Sequence, residues 1–183
     1  MLKIALIILA VIVVLVVVVL IAAAFRPSDF RTVRSATIAA PPAVVFAHVN
    51  DFKLWKAWSP WERLDPSMQR TYEGTAEGVG TIYRWVGNGQ VGEGKMTLTE
   101  SKPGEVIRIA MEFFKPFAST ATAEFTFAAT GDGKTLVTWS MYGSNSNLIC
   151  KAFGLFMNMD KMIGDQFSEG LRNLTAVCEA PKS

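Results

Sequence analysis

The chain begins with an unbroken run of 22 apolar residues, Ile4 to Phe25. A helix rises 1.5 Å per residue, so this run would be about 33 Å long, against a hydrocarbon core of about 30 Å. The run has no polar face to meet water, which argues against a buried helix of a soluble domain. The pattern therefore predicts one transmembrane anchor, residues 1–26, followed by a short linker, residues 27–30.

A cleaved secretory signal is the alternative, with Lys3 as its basic region and Ala22–Ala24 as a small-residue cleavage site. The apolar run is longer than the roughly 7–15 residues of a signal peptide, which favours a retained anchor. Arg26, Arg31 and Arg34 follow the run, so the positive-inside rule favours a cytoplasmic domain by about one charge. A periplasmic or extracellular domain stays open at this point.

Beyond the linker the polar and apolar residues alternate, which is typical of strands with one buried face. Residues 31–38 form the first such segment. A short helix is predicted from Pro42 to Val49, because proline is favoured in the first turn. Asn50 and Asp51 can cap a second short helix that continues to Trp58.

Six further strands are predicted, at residues 68–73, 80–86, 91–100, 106–114, 121–128 and 135–142. Turn residues separate them, and Asn88-Gly89 indicates a tight hairpin because both residues tolerate positive φ. The segments describe a meandering antiparallel sheet with one dry face.

A long amphipathic helix closes the chain. Apolar residues recur at three- and four-residue spacing from Met159 to Cys178, with charged residues mostly opposite. The order of elements predicts an α+β domain, residues 31–180, in which this helix packs on the dry face of the sheet.

Charge and cysteine content exclude several classes of function. Lys3 and Arg26 account for the net charge of +2, and from Pro27 onward there are 16 basic and 16 acidic residues. No basic stripe is present, so nucleic acid is not an expected partner. Cys150 and Cys178 are far apart in helical segments, and we expect small buried hydrophobes rather than a disulfide or metal pair.

Catalytic motifs are sparse. Residues 87–92 match G-x-G-x-x-G, but a strand follows where a dinucleotide site needs a helix, so a hairpin turn is the better interpretation. His48 is the one histidine, and a triad or metal set is not expected. Glu62, Asp65 and Glu93 are the carboxylates least clearly directed to solvent. No catalytic residue, metal or cofactor is predicted.

Aromatic and methionine side chains are abundant on the predicted dry face and near the start of the last helix, where Phe153 and Met157 also lie. They form either a solid core or the lining of an apolar cavity, and adaptable methionines favour the cavity. The candidate lining residues are Trp58, Trp61, Tyr83, Trp85, Met96, Met111, Phe113, Phe125, Trp139, Met141, Phe156, Met159 and Met162.

Several segments together resemble a known superfamily. They are Ala-Pro-Pro-Ala-Val-Val-Phe at 40–46, residues 49–61 with their three tryptophans, 78–85, 92–101, Phe-Lys-Pro-Phe at 114–117 and 156–167. Over residues 31–180 the chain resembles the START/Bet v 1-like (SRPBCC, polyketide cyclase/dehydrase-like) superfamily, and within it a membrane-anchored bacterial branch.

The resemblance implies a helix-grip fold, in which a seven-stranded antiparallel sheet wraps the C-terminal helix around a deep apolar cavity. Members of the superfamily bind lipids, sterols, polyketides or hormones, and a minority catalyse cyclisation or dehydration. No catalytic set is shared across it, so none is carried over to this chain.

Three functions follow as hypotheses. The first is a membrane-anchored module that binds a small apolar ligand, lipid or polyketide-like. The second is a cyclase/dehydratase-type enzyme, which requires two polar side chains converging in the cavity. The third is a partner-binding module, which requires an exposed apolar patch at the Pro116 loop or at Trp58–Trp61.

Overall fold

The computed structural model describes residues 2–144, 147–156 and 158–180, without the side chains of Ile149, Cys150 and Phe153. Five α-helices are found in these ranges: α1 Leu2–Ala24, α2 Pro42–Asn50, α3 Trp61–Leu64, α4 Leu148–Phe156 and α5 Met159–Glu179. A 3₁₀ helix spans Phe52–Ala57. Seven strands complete the fold: β1 Asp29–Ile38, β2 Gln69–Glu73, β3 Ile82–Val86, β4 Glu93–Lys102, β5 Val106–Lys115, β6 Ser119–Ala129 and β7 Thr135–Ser144.

The strands form one antiparallel sheet in the order β1-β7-β6-β5-β4-β3-β2. From β2 to β7 each strand pairs with the next along the chain, and β1 adds to the free edge of β7. The α+β helix-grip fold predicted from the sequence is confirmed. β1 begins at Asp29, so the segment between α1 and β1 is residues 25–28 rather than the predicted 27–30.

One end of the sheet lies next to α1, and we call it the anchor end. β1 starts there, directly after α1, and Asp29 pairs with Ser144, the last residue of β7. Phe113 pairs with Ser119, so the β5–β6 connection lies at the same end. The opposite, distal end holds the β6–β7 connection, where Thr135 pairs with Ala129.

Helix α5 covers the dry face of the sheet. The Asn158 side chain caps it by accepting a hydrogen bond from the Lys161 amide at 2.9 Å. Phe167, Leu171 and Leu174, spaced three and four residues apart, are fully buried against the sheet. From Phe167 onward, the stripe read from the sequence is therefore the packed face of the helix.

The loop at residues 87–92 differs from the predicted two-residue hairpin. Neither Asn88 nor Gly89 has positive φ; Gly92 does, at +66°. Asn88 Oδ1 accepts from the Gln90 amide at 2.8 Å, and its carbonyl accepts from the Gly92 amide. The side chain of Asn88 therefore shapes a wider turn, because an Asx side chain can replace a backbone acceptor.

Candidate functional site

An interior cavity of about 190 Å³ lies between the sheet, the 3₁₀ helix, α3 and α5. Aromatic and methionine side chains dominate its wall. The lining residues are Phe52, Trp55, Ser59, Trp61, Glu62, Met68, Tyr83, Trp85, Val91, Met96, Met111, Phe113, Ala123, Trp139, Met141, Ile163 and Phe167.

Stacked rings make the wall of this cavity rigid. Trp139 stacks on Phe167 of α5 at a centroid distance of 4.1 Å and on Phe125 of β6 at 4.7 Å. Phe125 and Trp139 are direct cross-strand partners, which explains their contact. Trp55 and Trp85 are further oriented by indole hydrogen bonds to the carbonyls of Val49 and Val91, each 3.0 Å.

A polar group lies at one side of the cavity. Tyr83 donates its hydroxyl to Glu62 Oε1 at 3.2 Å, and Arg70 Nε donates to Glu62 Oε2 at 2.8 Å. The Glu62 side chain is 8% exposed and that of Arg70 is 17% exposed. Helix α3, which carries Glu62, is held against α5 because the guanidinium of its Arg63 bonds Glu169 and Asn173. The carboxylate is therefore fixed between two donors.

The direction of the pKa shifts of Tyr83 and Arg70 argues for a fixed hydrogen-bond network. Burial first, and the Glu62 charge second, raise the pKa of Tyr83 above its usual range. The hydrogen bond to Glu62 raises the pKa of Arg70. Both donors thus keep their protons throughout the physiological range, and neither is tuned for proton exchange near neutrality.

Asp65 fixes the loop that borders the cavity at Val91. Its carboxylate accepts hydrogen bonds from the Ser67 hydroxyl at 2.6 Å and from the Asn88 amide at 2.7 Å. The bond from Ser67, followed by that from Asn88, lowers the pKa of Asp65. The third carboxylate noted in the sequence, Glu93, pairs with Lys115 at 2.7 Å. Asp65 and Glu93 therefore have structural partners outside the cavity.

Eight of the thirteen candidate lining residues lie on the cavity wall: Trp61, Tyr83, Trp85, Met96, Met111, Phe113, Trp139 and Met141. The alternating pattern of β3, β4, β5 and β7 had placed all of these except Trp61 on the dry face.

The other five candidates lie elsewhere. Trp58 and Phe125 are fully buried core residues behind the wall. Phe156, Met159 and Met162 are 75%, 43% and 46% exposed and do not line the cavity. Met162 lies five residues before the buried Phe167, which puts it on the other side of the helix. Met159 is the first residue of α5 and is exposed although it lies four residues before Ile163. Phe156 belongs to the separate helix α4. Met157 lies outside the described residues.

Sequence reasoning missed nine lining residues: Phe52, Trp55, Ser59, Glu62, Met68, Val91, Ala123, Ile163 and Phe167. Ala123, Ile163 and Phe167 had a signal, since all three lie on apolar stripes recognised in the sequence. The 3₁₀ helix and α3 are too short for periodicity to show which side faces inward.

Other candidate chemistry is not assembled. No group of three or more metal-binding side chains occurs among the described residues. His48 lies at a shallow surface groove, away from the cavity wall, and desolvation lowers its pKa. Cys178 is a half-buried free thiol, and burial raises its pKa to about 11, so it is a poor nucleophile.

Comparison with protein families decides the relationship. The model of the polyketide cyclase / dehydrase and lipid transport family matches residues 29–179. The chain belongs to this family. The matched range covers the whole sheet and α5, and leaves α1 outside.

Solved structures confirm the fold. A crystal structure of a Chromobacterium violaceum protein matches with a TM-score of 0.58 at 18% identity, over 85% of this chain and 100% of that one. A Nitrosospira multiformis protein matches with a TM-score of 0.57 at 21% identity, over 82% and 97%. The crystal structure of Ara h 8.0201 matches with a TM-score of 0.56 at 12% identity, over 82% and 97%. Comparison with curated proteins returned no significant match.

Family and fold together support a ligand-binding module for lipids or small hydrophobic molecules. One helix in the described part of the chain, Leu2–Ala24, is long and apolar enough to be a membrane span or a signal sequence.

Proposed function

We propose that this protein is a membrane-anchored module that holds one small apolar ligand in the aromatic cavity. The observation that carries the proposal is the cavity itself, which places four tryptophans, four other aromatic rings of the sheet and helices, and four methionines around about 190 Å³ of space. Apolar ligand sites have such a wall with a few placed polar groups.

The size of the cavity limits the ligand. Pockets for drug-sized molecules run from about 300 to 1,000 Å³, and a dry cavity of about 150 Å³ accepts benzene. The cavity of about 190 Å³ therefore fits one ring or the end of an acyl chain. It is smaller than the deep cavity that the resemblance implied, and next to it Trp55 and Trp58 pack their rings against Phe125 and Trp139 of the sheet.

The polar group orients the ligand. Each carboxylate oxygen has more than one acceptor site. Glu62 Oε1 accepts from the Tyr83 hydroxyl, which leaves it able to accept a second hydrogen bond from a ligand hydroxyl. The proposed ligand is thus apolar with one hydroxyl directed at Glu62.

The anchor completes the proposal. Helix α1 has 23 residues, of which Ala23 alone is buried, so nearly all of its length is uncovered by the described part of the chain. Such a helix is stable in lipid, where its backbone is satisfied internally. Retention of α1 keeps the cavity beside a source of apolar ligands, and the positive-inside rule favours the cytoplasmic side.

The test compares two alanines of strand β6. Ala123 is buried and lines the cavity, whereas Ala128 on the same strand is exposed. The full chain, Ala123→Leu and Ala128→Leu are purified in detergent, extracted with organic solvent and analysed by mass spectrometry. We expect a stoichiometric compound from the wild type and from Ala128→Leu, and its loss from Ala123→Leu with the circular dichroism spectrum unchanged.

Equal extracts from all three proteins would contradict a role for the cavity. So would the absence of any compound together with no change in melting temperature across fatty acids, sterols and aromatic polyketides, because a ligand that binds the native state raises that temperature.

The Glu62–Tyr83 contact favours a second candidate, a cyclase/dehydratase-type reaction, since two polar side chains do converge at the cavity. In that case Glu62→Gln, which keeps the shape of the side chain, would retain the ligand but stop its conversion. If wild type and Glu62→Gln yield the same compound in the same amount, the enzyme hypothesis is rejected.

A further inference from the structure

Large exposed apolar side chains are concentrated at the anchor end of the domain. They come from α4, from the first turn of α5 and from the end of β5 with its connection to β6. We call this set the apolar rim; its members are Leu155, Phe156, Met159, Met162, Phe114 and Phe117, each between 39% and 75% exposed.

Both parts of the apolar rim lie at the same end of the sheet. The β5–β6 connection is placed there by the pairing of Phe113 with Ser119. The start of α5 is tied to the middle of β1 through Arg34, whose guanidinium pairs with the Asp160 carboxylate at 3.2 Å and with its carbonyl at 3.1 Å. The last residue of α5, Glu179, accepts a hydrogen bond from the Ala39 amide at 2.7 Å, just past the distal end of β1, so the start of α5 points toward the anchor end. The rim is therefore on the side of the domain from which α1 leaves.

Helix α4 contacts the end of α1 directly. The Arg26 guanidinium donates to the Gly154 carbonyl, and Lys151 Nζ donates to the Arg26 carbonyl at 2.9 Å. Ala23 is completely buried at the end of α1. Of the nine residues of α4, Lys151 alone is charged. An apolar helix joined to the end of a membrane-spanning helix lies at the depth where the bilayer interface begins.

The linker keeps the rim at this depth. Residues 25–28 separate Ala24 from Asp29. Five residue steps of extended chain span at most about 18 Å, so the domain cannot leave the bilayer surface while α1 is inserted. A soluble monomer rarely exposes several large apolar side chains together, and lipid is the apolar phase within reach.

We infer that the apolar rim is immersed in the interfacial region of the lipid bilayer and that the cavity opens beside it. Four half-buried residues of the cavity lining, Val91, Met111, Phe113 and Ile163, lie in the β3–β4 loop, near the end of β5 and at the start of α5. These segments are all at the anchor end, so this less buried part of the cavity wall faces the end of the domain that carries the rim. The contact of the rim with lipid rests on the proposed retention of α1 as a membrane anchor. The role of the cavity opening beside the rim rests on the proposed binding of a ligand in the cavity.

The test places a fluorescent nitrobenzoxadiazole group on the full chain. Phe156→Cys labels the rim, and Leu136→Cys is the control, because Leu136 is also an exposed apolar residue, at 39%, but lies at the distal end of the sheet. Cys150 and Cys178 are replaced by serine in both proteins. The proteins are reconstituted into phosphatidylcholine vesicles with and without doxyl-labelled lipid, and flotation confirms insertion.

We expect the label at 156 to shift to shorter wavelength and to be quenched by the doxyl lipid, while the label at 136 stays water-like and unquenched. Equal, water-like emission at both positions in floated vesicles would overturn the inference and leave the anchor standing. Failure of the chain to float would overturn the inference and the anchor together. Quenching at 156 without an extractable compound would support the rim and count against the cavity ligand.

The unaltered chain provides a second measurement should the serine variants misfold. Photocrosslinking to a diazirine-bearing phosphatidylcholine, followed by peptide mapping, is expected to mark residues 155–162 and to spare residue 136. Crosslinks confined to α1 would contradict immersion of the rim.

Discussion

Replacement of Glu62 by leucine is the sharpest test of the cavity's polar group. The substitution removes the acceptor for the Arg70 guanidinium and for the Tyr83 hydroxyl at once. Both members of the ion pair are largely buried, with side-chain exposures of 8% for Glu62 and 17% for Arg70. Arg70 would keep one hydrogen bond, to the Met68 carbonyl.

The expected loss of free energy of unfolding depends on which hydrogen-bond partners Arg70 and Tyr83 keep after the substitution. Breaking a buried ion pair by removal of one partner costs about 3–5 kcal/mol. Because Arg70 keeps its hydrogen bond to the Met68 carbonyl and some contact with water, the unpaired guanidinium should cost about 2 kcal/mol of folding free energy. The orphaned Tyr83 hydroxyl adds about 1 kcal/mol. We therefore expect Glu62→Leu to lower the free energy of unfolding by about 3 kcal/mol, or Tm by about 6–12 °C.

A double-mutant cycle separates the ion pair from packing. Arg70→Leu combined with Glu62→Leu leaves no unpaired charge, so the double variant should be more stable than Glu62→Leu alone by about 2 kcal/mol. Unfolding of the full chain in detergent is followed by tryptophan fluorescence against urea concentration. Glu62→Leu within about 0.5 kcal/mol of the wild type, or a double variant no more stable than the single one, would refute the argument.

Three further predictions concern the surroundings of the cavity. Gly170→Ala should destabilise the protein by about 1–2 kcal/mol despite the better helix propensity of alanine, because the new Cβ would lie 2.8 Å from the Trp139 ring; the urea midpoint measures this. Burial lowers the pKa of His48 in the folded state, so the unfolded state binds more protons below about pH 6.5. Stability should therefore fall as the pH drops from 7 through that range, and His48→Gln should flatten the profile. Asp65→Ala should free the Asn88 amide and speed hydrogen exchange in residues 87–92, without changing exchange in β6.

The fold was largely predictable because it is built from short-range patterns. In strand β6, for example, Ala123, Phe125 and Phe127 alternate with polar residues, and this alternation indicates which face is buried. The stripe of α5 does the same at a period of 3.6 residues. The type of turn predicted at Asn88 was wrong, because the backbone there is determined by hydrogen bonds to Asp65 and Leu64, which are more than twenty positions away in the chain.

The cavity was predictable only where a regular strand carries it. Alternation placed Met96, Met111 and Met141 on the dry face of the sheet, and the structure places them on the cavity wall. Glu62 was among the carboxylates noted, but its place beside Tyr83 depends on a four-residue helix packed across the sheet. Met159 is exposed in the first turn of α5, and a continuous apolar pattern does not reveal where that helix begins.

By itself, the sequence determined the strands, the closing helix, the dry face of the sheet and an apolar helix long enough to span a bilayer, because these depend on periodicity and length; it did not show the short helices α3 and α4. Only the tertiary structure decided that the cavity has a volume of about 190 Å³ and that Glu62, Arg70 and Tyr83 meet at its side. It also decided that α4 packs on the end of α1 and leaves an apolar rim there. Such contacts join residues distant in the chain, and their geometry is set by packing that no local pattern encodes.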